Sequence, residues 1–422
     1  MTTDLRITGV RITPVAFREP ALLHAAGVHD PFVLRAIVEV DTADGLVGLG
    51  ETYADERHLR RLRAAADAIS CADVYALGAM YRKVAEALAH DNGPDGSGLT
   101  GMLAAGSAVD RVFSPFEVAC LDIQGKAAGR PVSDLLGGAV RDRVPFGACL
   151  FPKWAGHPGA EPDGWGEALD PDAIVAQAHR MVQDHGFSAI KLKGGVRHPE
   201  EEIQTVLALR DAFPGVPLRL DTDAAWSVDT SIQVARRLEG VLEYLEDPTP
   251  GLDGMAHVAR ETGVPLATDL CGVALGHLAP SVERRSVAVV LADHHHGGGL
   301  HRSRLLAGIC DTFGMGLSMH SHSHLGVSLA AMTHLAAATP DLPYACDTHW
   351  PWKTEEVVVP GVLSFADGAV RVPGGPGLGV ELDRDALARL HEQYIVRGLR
   401  NRDGTGHPRR TGRSHEKKTS RR

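Results

Sequence analysis

The hydrophobic pattern changes period along the chain. From Ile7 to Val15 and from Phe32 to Val40, β-branched and apolar residues crowd into short runs. Asp41–Leu46 reads as a turn and Leu46–Thr52 as the returning strand. Helical patterns follow over Arg57–Ala68 and Val74–Ala89. Gly, Asp and Asn break the pattern between Asp91 and Gly101, and a helix with small residues for close packing is expected over Ser114–Ala128. Near Gly137 the chain settles into a beat of short apolar run, break and helical stretch. The runs are Pro145–Phe151, Ser188–Lys193, Val216–Asp221, Val241–Glu246, Val264–Asp269, Val287–Asp293, Gly316–His320 and Leu342–His349, eight expected strands. Between them, Pro199–Phe213 places Ile203, Val206, Leu207 and Phe213 near one helical face, with proline at the start. Asp229 reads as the N-cap of the next helix, which carries Ile232, Ala235 and Leu238. Beyond Pro360 a short strand pair and a final helix are expected over Gly361–Arg397.

Strands alternating with helices predict an α/β fold, a (β/α) TIM-like barrel. The expected organisation is an N-terminal α+β domain over 1–136, a barrel over 137–360, a C-terminal segment over 361–400 and a basic, disordered tail over 401–422. The beat also carries chemistry. Lys193, Asp221, Glu246, Asp269, Asp293, His320 and His349 each end an apolar run, and by subtraction the gaps are 28, 25, 23, 24, 27 and 29 residues. One active group at the C-terminal end of each strand is the layout of a barrel enzyme.

Composition narrows the class. With 422 residues, 44% hydrophobic and 23% charged, the chain suits a soluble protein with a barrel and an accessory domain. The net charge is -10, and the stretch from Gly404 to Arg422 holds seven Lys/Arg against one Glu. The remainder is therefore strongly acidic, and no nucleic-acid partner is expected. Six scattered cysteines form no CxxC pair. No signal-like or membrane-spanning stretch stands out, so a cytoplasmic protein with no membrane partner is expected.

The clearest motif is Ser188-Ala-Ile-Lys-Leu-Lys-Gly-Gly195. Alternation puts Lys191 and Lys193 on one strand face. They are either solvated lysines on an exposed edge or inward cations that require balancing anions. Asp221, Glu246 and Asp269 close three successive strands, either as helix N-caps or as a converging, oxygen-rich site for Mg²⁺. Three such acids in consecutive units beside two lysines favour the metal. Asp293 and His320 fall on adjacent strand ends, where a carboxylate orients the ring and raises its basicity. Histidines also crowd at His294, His295, His296, His301, His322 and His324. His294–His296 are expected in a partly exposed loop near the site, and a separate histidine-metal site lacks a convincing four-ligand set. Two bases flanking a metal-held acid suit proton removal next to a carboxylate.

These residues resemble the enolase superfamily of the mandelate racemase/muconate lactonizing enzyme type, and within it glucarate dehydratase and its relatives. The resemblance lies in Gly186–Gly195, Leu245-Glu-Asp-Pro248, Leu291-Ala-Asp293, His320-Ser321, Val327–Ala330, Thr333-His334, Asp347-Thr-His-Trp350 and Pro376–Glu381. It implies a capping α+β domain, a (β/α)7β barrel and a C-terminal segment that returns to the cap. It implies Mg²⁺ on Asp221, Glu246 and Asp269. Lys193 would be one base, assisted by Lys191, and the Asp293–His320 dyad would serve the other face. His29, Asp223, Ser321, His322 and His349 would touch the substrate.

The chain departs from that pattern. Asp269 and Asp223 stand where Asn is usual, Cys149 where Tyr is typical, and His322 where Asn is found. The terminal arginine context is absent. Added negative charge without that arginine should disfavour a dianionic diacid. The expected activity is a Mg²⁺-dependent, glucarate dehydratase-like hydro-lyase that converts a sugar acid into a keto-deoxy acid, working as a homo-oligomer. Epimerisation or racemisation on the same scaffold is one rival. A non-catalytic metal-binding protein with a degenerate site is the other.

Overall fold

The computed structural model describes residues 4–91, 108–271 and 275–401. Most of the expected break at Asp91–Gly101 and all but the first residue of the expected tail lie outside the described residues. Strand β1 (Ile7–Arg18) is followed by a small hairpin of β2 (Leu23–His24) and β3 (Gly27–Val28). Strands β4 (Phe32–Thr42) and β5 (Val47–Tyr53) complete an antiparallel sheet in the order β1-β4-β5. Helices α1 (Glu56–Ala68), α2 (Leu77–Leu88) and α3 (Ala108–Ala128) cover one face of it.

Both faces of this sheet are apolar because both are buried. Leu34, Ala36, Val38 and Val40 of β4 point into the core shared with α1–α3. Val33 and Ile37, with Val15, Phe17 and Leu49, join the core of the barrel instead. The period of two therefore feeds two different cores from one strand. At Gly48 and Gly50, β5 touches the α3 backbone. A Cβ on Gly50 would lie 2.1 Å from the Pro115 carbonyl oxygen, and one on Gly48 would lie 2.0 Å from that of Ala119. Only glycine permits this approach.

The chain then passes through α4 (Val132–Leu135) and β6 (Arg143–Pro145) into the barrel. The parallel strands are β7 (Ala148–Leu150), β8 (Ile190–Lys193), β9 (Leu218–Asp221), β10 (Leu242–Glu246), β11 (Leu266–Thr268), β12 (Val289–Ala292) and β13 (Gly316–Met319). They are hydrogen-bonded in sequence order. Between them lie α5 (Pro171–His185), α6 (Pro199–Ala212), α7 (Val228–Arg237), α8 (Gly251–Glu261), α9 (Leu275–Arg284), α10 (His294–Gly297) and α11 (Leu300–Thr312), and α12 (Gly326–Ala338) follows β13. Local chemistry sets the helix starts. Asp170 caps α5 by accepting from the Ala173 amide, with Pro171 at its first position. Ser227, not Asp229, caps α7: its side chain accepts from the Thr230 amide at 3.1 Å, and Asp229 sits inside the first turn.

The eighth expected strand, Leu342–His349, is not a regular strand. Pro343 has no amide to give to a ladder. What remains is a single parallel bridge, Phe146 to Cys346. The Asp347 amide reaches the Met319 carbonyl at 2.9 Å, and the Cys346 amide reaches the Pro145 carbonyl at 2.9 Å. The segment thus ties β13 to the chain entering β7. The first expected strand is also divided, because Arg143–Pro145 leaves the barrel to pair with β15 (Ala369–Arg371), itself in a hairpin with β14 (Phe365–Ala366). The last helix, α13 (Arg384–Arg397), lies on β1. Its His391 Nδ1 meets the Pro14 carbonyl at 2.7 Å, and its Gln393 Nε2 donates to the Ala16 carbonyl at 2.8 Å. No described helix is long and apolar enough to cross a membrane, and the six cysteines form no disulfide.

Candidate active site

Strand alternation builds the site. Ile190, Leu192, Leu218, Leu220, Leu245, Leu266, Val290, Leu317 and Met319 point outward into the core beneath the helices. The intervening positions point inward. Deep in the barrel, Tyr244, Ala267, Val289 and Leu291 form a small apolar layer. At the C-terminal ends the inward positions turn polar, and neighbouring strands present Lys193, Asp221, Glu246, Asp269, Asp293 and His320 in that order. All six are buried.

Lys191 Nζ lies 3.0 Å from Asp221, 2.7 Å from Glu246 and 2.7 Å from Asp347. Lys193 Nζ lies 2.5 Å from Asp221 and 3.1 Å from Asp223. The lysines are therefore inward cations balanced by anions, not an exposed edge. Burial alone would lower both lysine pKa values. Around Lys191 the charges of Asp221, Asp347 and Glu246 outweigh it, and around Lys193 those of Asp221 and Asp223 do, so both ammonium groups are held well above the ordinary lysine range. Burial, with Asp221 and Asp269 nearby, pushes Asp223 up to about 6 despite Lys193. Burial and then Asp221 push Glu246 well above the usual carboxylate range.

A cation fits this donor set. Glu246 Oε2 and Asp269 Oδ1 are buried and accept no hydrogen bond, and beside them Asp221 Oδ2 is held by the two lysines. Buried acceptors without donors are costly, and a hard divalent ion satisfies such oxygens. Oxygens of Glu246, Asp247 and Asp269 lie within 4.8 Å of one another. Asp247 is the neighbour that the sequence reading missed. Its carboxylate accepts from Thr268 Oγ1 at 2.7 Å and the Asp269 amide at 2.9 Å, which ties the end of β10 to that of β11.

His320 bridges the acid cluster to a second one. Its Nε2 lies 3.0 Å from Asp269 Oδ2, and its Nδ1 lies 3.4 Å from Asp293 Oδ2. Burial would lower the His320 pKa, but Asp269 and Asp293 raise it above the ordinary value. Beside this pair, His294–His296 form a short buried helix, not the expected partly exposed loop. The reason is the overlying sheet: Tyr53 of β5 places its hydroxyl 3.0 Å from His296 Nε2. Burial pushes His295 and His296 down to about 4 and holds His322 well below its ordinary range. The His322 ring meets the His320 ring edge-on at 4.5 Å.

The N-terminal sheet brings His29 to the barrel mouth. His29 Nδ1 lies 2.9 Å from Glu19 Oε2, and its ring abuts Phe151 at 5.5 Å. Phe151 in turn meets the His349 ring at 5.2 Å. Ser323 links the two groups, with its hydroxyl on Glu19 Oε1 and 3.1 Å from His349 Nδ1. Ser321 Oγ donates to the Asp347 carbonyl at 3.1 Å. Ion pairs and ring contacts thus join Lys191, Lys193, Asp221, Asp223, Glu246, Asp269, Asp293, His320 and His322. His29 and His349 are joined to each other through Glu19, Ser323 and Phe151. Glu19, Asp247 and Asp347 also stand among these groups and were not anticipated, whereas His295 lies near the site as expected but is buried. Asp347 could have been suspected from its place two residues before His349.

Residues 7–137 match the family model described as mandelate racemase / muconate lactonizing enzyme, N-terminal domain. Residues 173–386 match the one described as enolase C-terminal domain-like. The chain belongs to the enolase superfamily. This superfamily member is 50% identical over 413 residues to a Streptomyces coelicolor protein named "Probable glucarate dehydratase", spanning 96% of this chain and 95% of the other. An enolase from Mycobacterium smegmatis, solved in complex with tartrate, is 65% identical with a TM-score of 0.91, and 96% of each chain is covered. An enolase from Thermobispora bispora, solved with magnesium and formate, is 62% identical with a TM-score of 0.92, covering 95% of this chain and 96% of that one.

Proposed function

We propose that the protein is a Mg²⁺-dependent acid-sugar dehydratase of the glucarate dehydratase type. The observation that carries this reading is the order of groups around the barrel. Lys193 stands at one end of the row, Asp293 and His320 at the other, and three carboxylate strands lie between. The likeness to a protein named "Probable glucarate dehydratase" supports it. Mg²⁺, held by Asp221, Glu246 and Asp269, would supply the electrostatic stabilisation that makes a proton beside a carboxylate removable.

The chain's own groups do the rest. One of Lys193 and His320 takes the proton from the α carbon. The C–H electron pair becomes a C=C bond as the β C–O bond breaks, and the other group gives its proton to the departing hydroxyl, which leaves as water. The resulting enol tautomerises to a keto-deoxy acid. His320 can serve in either role, since its Nε2 can take or release a proton while Nδ1–H stays on Asp293. Lys191, facing three carboxylates, remains a fixed cation that keeps the negative charge of the pocket in check. His29, Asp223, Ser321, His322 and His349 would orient the hydroxyls of the substrate.

The test is a screen of purified protein with Mg²⁺ against aldarates, aldonates and tartrates, reading keto-acid formation. Tartrate is included because a relative binds it. Lys193→Ala and His320→Ala should each abolish the activity found. Full activity in both variants would sink the mechanism. Unchanged mass with inverted configuration would replace dehydration by epimerisation.

A further inference from the structure

Asp293 has two oxygens, and each faces a histidine. Oδ2 faces His320 Nδ1 at 3.4 Å. Oδ1 accepts from the His295 amide at 2.8 Å and lies 2.7 Å from His295 Nδ1. The far nitrogen of His295, Nε2, is 2.7 Å from Arg35 Nη2 and 3.2 Å from Ser328 Oγ. Arg35 sits on β4, in the middle of Phe-Val-Leu-Arg-Ala-Ile-Val-Glu-Val, and is 1% exposed. Its Nε donates to Glu51 Oε1 at 2.9 Å, and its guanidinium lies over the Tyr53 ring at 4.7 Å. Glu51 in turn accepts the Leu325 and Ser328 amides at 2.8 and 2.9 Å, at the start of α12.

The direction of these bonds is forced. A guanidinium has hydrogens and no acceptor. Where Arg35 meets His295, Nε2 must therefore accept, and the ring hydrogen must sit on Nδ1. From there it donates to Asp293. Asp293, an ionised acceptor, then receives Nδ1–H from His320 as well. Burial holds His295 at about 4, so its ring is neutral near neutral pH, as a ring accepting at Nε2 must be.

We propose that Arg35 and His295 are positioning residues for the Asp293–His320 pair. Through them, the N-terminal sheet fixes the nitrogen of His295 that carries the hydrogen, and with it the placement of the Asp293 carboxylate that receives His320. Neither residue is assigned contact with substrate. The inference rests on the role given above to Asp293 and His320, and it adds that the covering domain completes the acid–base machinery as well as shaping the pocket. Partners that orient a functional histidine are worth on the order of 10–100-fold in activity elsewhere.

The test pairs two substitutions of similar size. His295→Gln keeps an acceptor toward Arg35 and a donor toward Asp293, whereas His295→Leu has neither. The Leu variant should lower kcat on the order of 10–100-fold, with KM changed by less than about threefold, and the Gln variant should recover most of the loss. A purely structural role would shift Tm without that recovery. The second measurement is ¹⁵N-histidine NMR of the full chain, which needs no turnover. It should show the His295 hydrogen on Nδ1 and Nε2 as an accepting nitrogen. In Arg35→Met/Glu51→Gln, which removes both buried charges together so that neither is orphaned, the Nε2 resonance should lose the shift that the guanidinium bond imposes. Wild-type kcat in His295→Leu, or a His295 hydrogen on Nε2 in the native protein, overturns the proposal. A protein that dehydrates no sugar acid would instead remove the dehydratase reading, and the spectrum would still decide the tautomer.

Discussion

Lys191 touches Asp221, Glu246 and Asp347 at once, so changing any one of them changes what holds the other two. Asp347→Asn removes one anion and leaves the lysine to pull harder on the two proposed metal ligands. Mg²⁺ affinity, measured by calorimetric titration, should fall by roughly tenfold; unchanged affinity would mean that Lys191 does not compete for those carboxylates. Glu246→Gln should act in two directions. Burial and neighbouring acids strain the native carboxylate, so the metal-free variant should unfold at higher temperature than the metal-free parent, by roughly 1 kcal/mol of stability. Its further stabilisation by Mg²⁺ should disappear. A variant still stabilised by Mg²⁺ as strongly as the parent would remove Glu246 from the ligand set. Legibility at this scale follows strand ends. Lys193, Asp221, Glu246, Asp269, Asp293 and His320 could be read because each ends an apolar run. Asp347 lies in an irregular segment and Glu19 outside the barrel, so neither carries a periodic signature. Arg35 did carry one, a charge inside a nearly unbroken apolar strand, which marks a buried partner elsewhere in the fold.

At the scale of elements, contacts between neighbouring units do the work. Helix α11 begins against Glu117 of α3, whose carboxylate accepts the Leu300 and His301 amides at 2.8 and 3.0 Å and meets His301 Nδ1 at 2.8 Å. The hydrogen bond to Glu117 raises the His301 pKa. A pKa raised on folding adds stability that is fully present below the unfolded value of about 6.5 and is lost as pH rises through the folded value. His301→Gln should therefore lower the urea midpoint near pH 5.5 and leave it near the parental value at about pH 9; an equal loss at both would exclude this ion pair as the cause. Between β5 and α3 the constraint is steric. Gly50→Ala places a methyl against the Pro115 carbonyl and should destabilise by about 3 kcal/mol in urea unfolding; a loss under about 0.5 kcal/mol would show that the two backbones separate freely. Seven barrel strands matched the apolar runs. The eighth did not, because Pro343 disrupts the ladder that the run Leu342–His349 implied.

Across the whole molecule, the sheet β1-β4-β5 belongs to two cores. One face completes the packing of α1–α3, and the other adds Val15, Phe17, Val33, Ile37 and Leu49 to the barrel core. Glu117 and Glu51 further insert cap carboxylates at the starts of α11 and α12. The two parts should thus melt together, in one calorimetric transition whose van't Hoff and calorimetric enthalpies agree; two resolved peaks would show that the halves stand alone. The same arrangement sets a problem of timing during synthesis. The sheet is complete once Tyr53 has been made, yet its second face waits for the barrel, and the β1 carbonyls wait for His391 and Gln393. At translation speeds of about 5–20 residues per second, roughly 340 intervening residues take on the order of 20–70 s. Throughout that interval a nascent chain carries a finished sheet with an uncovered apolar face, the kind of surface that chaperones hold and that sticks to its own kind on crowded polysomes.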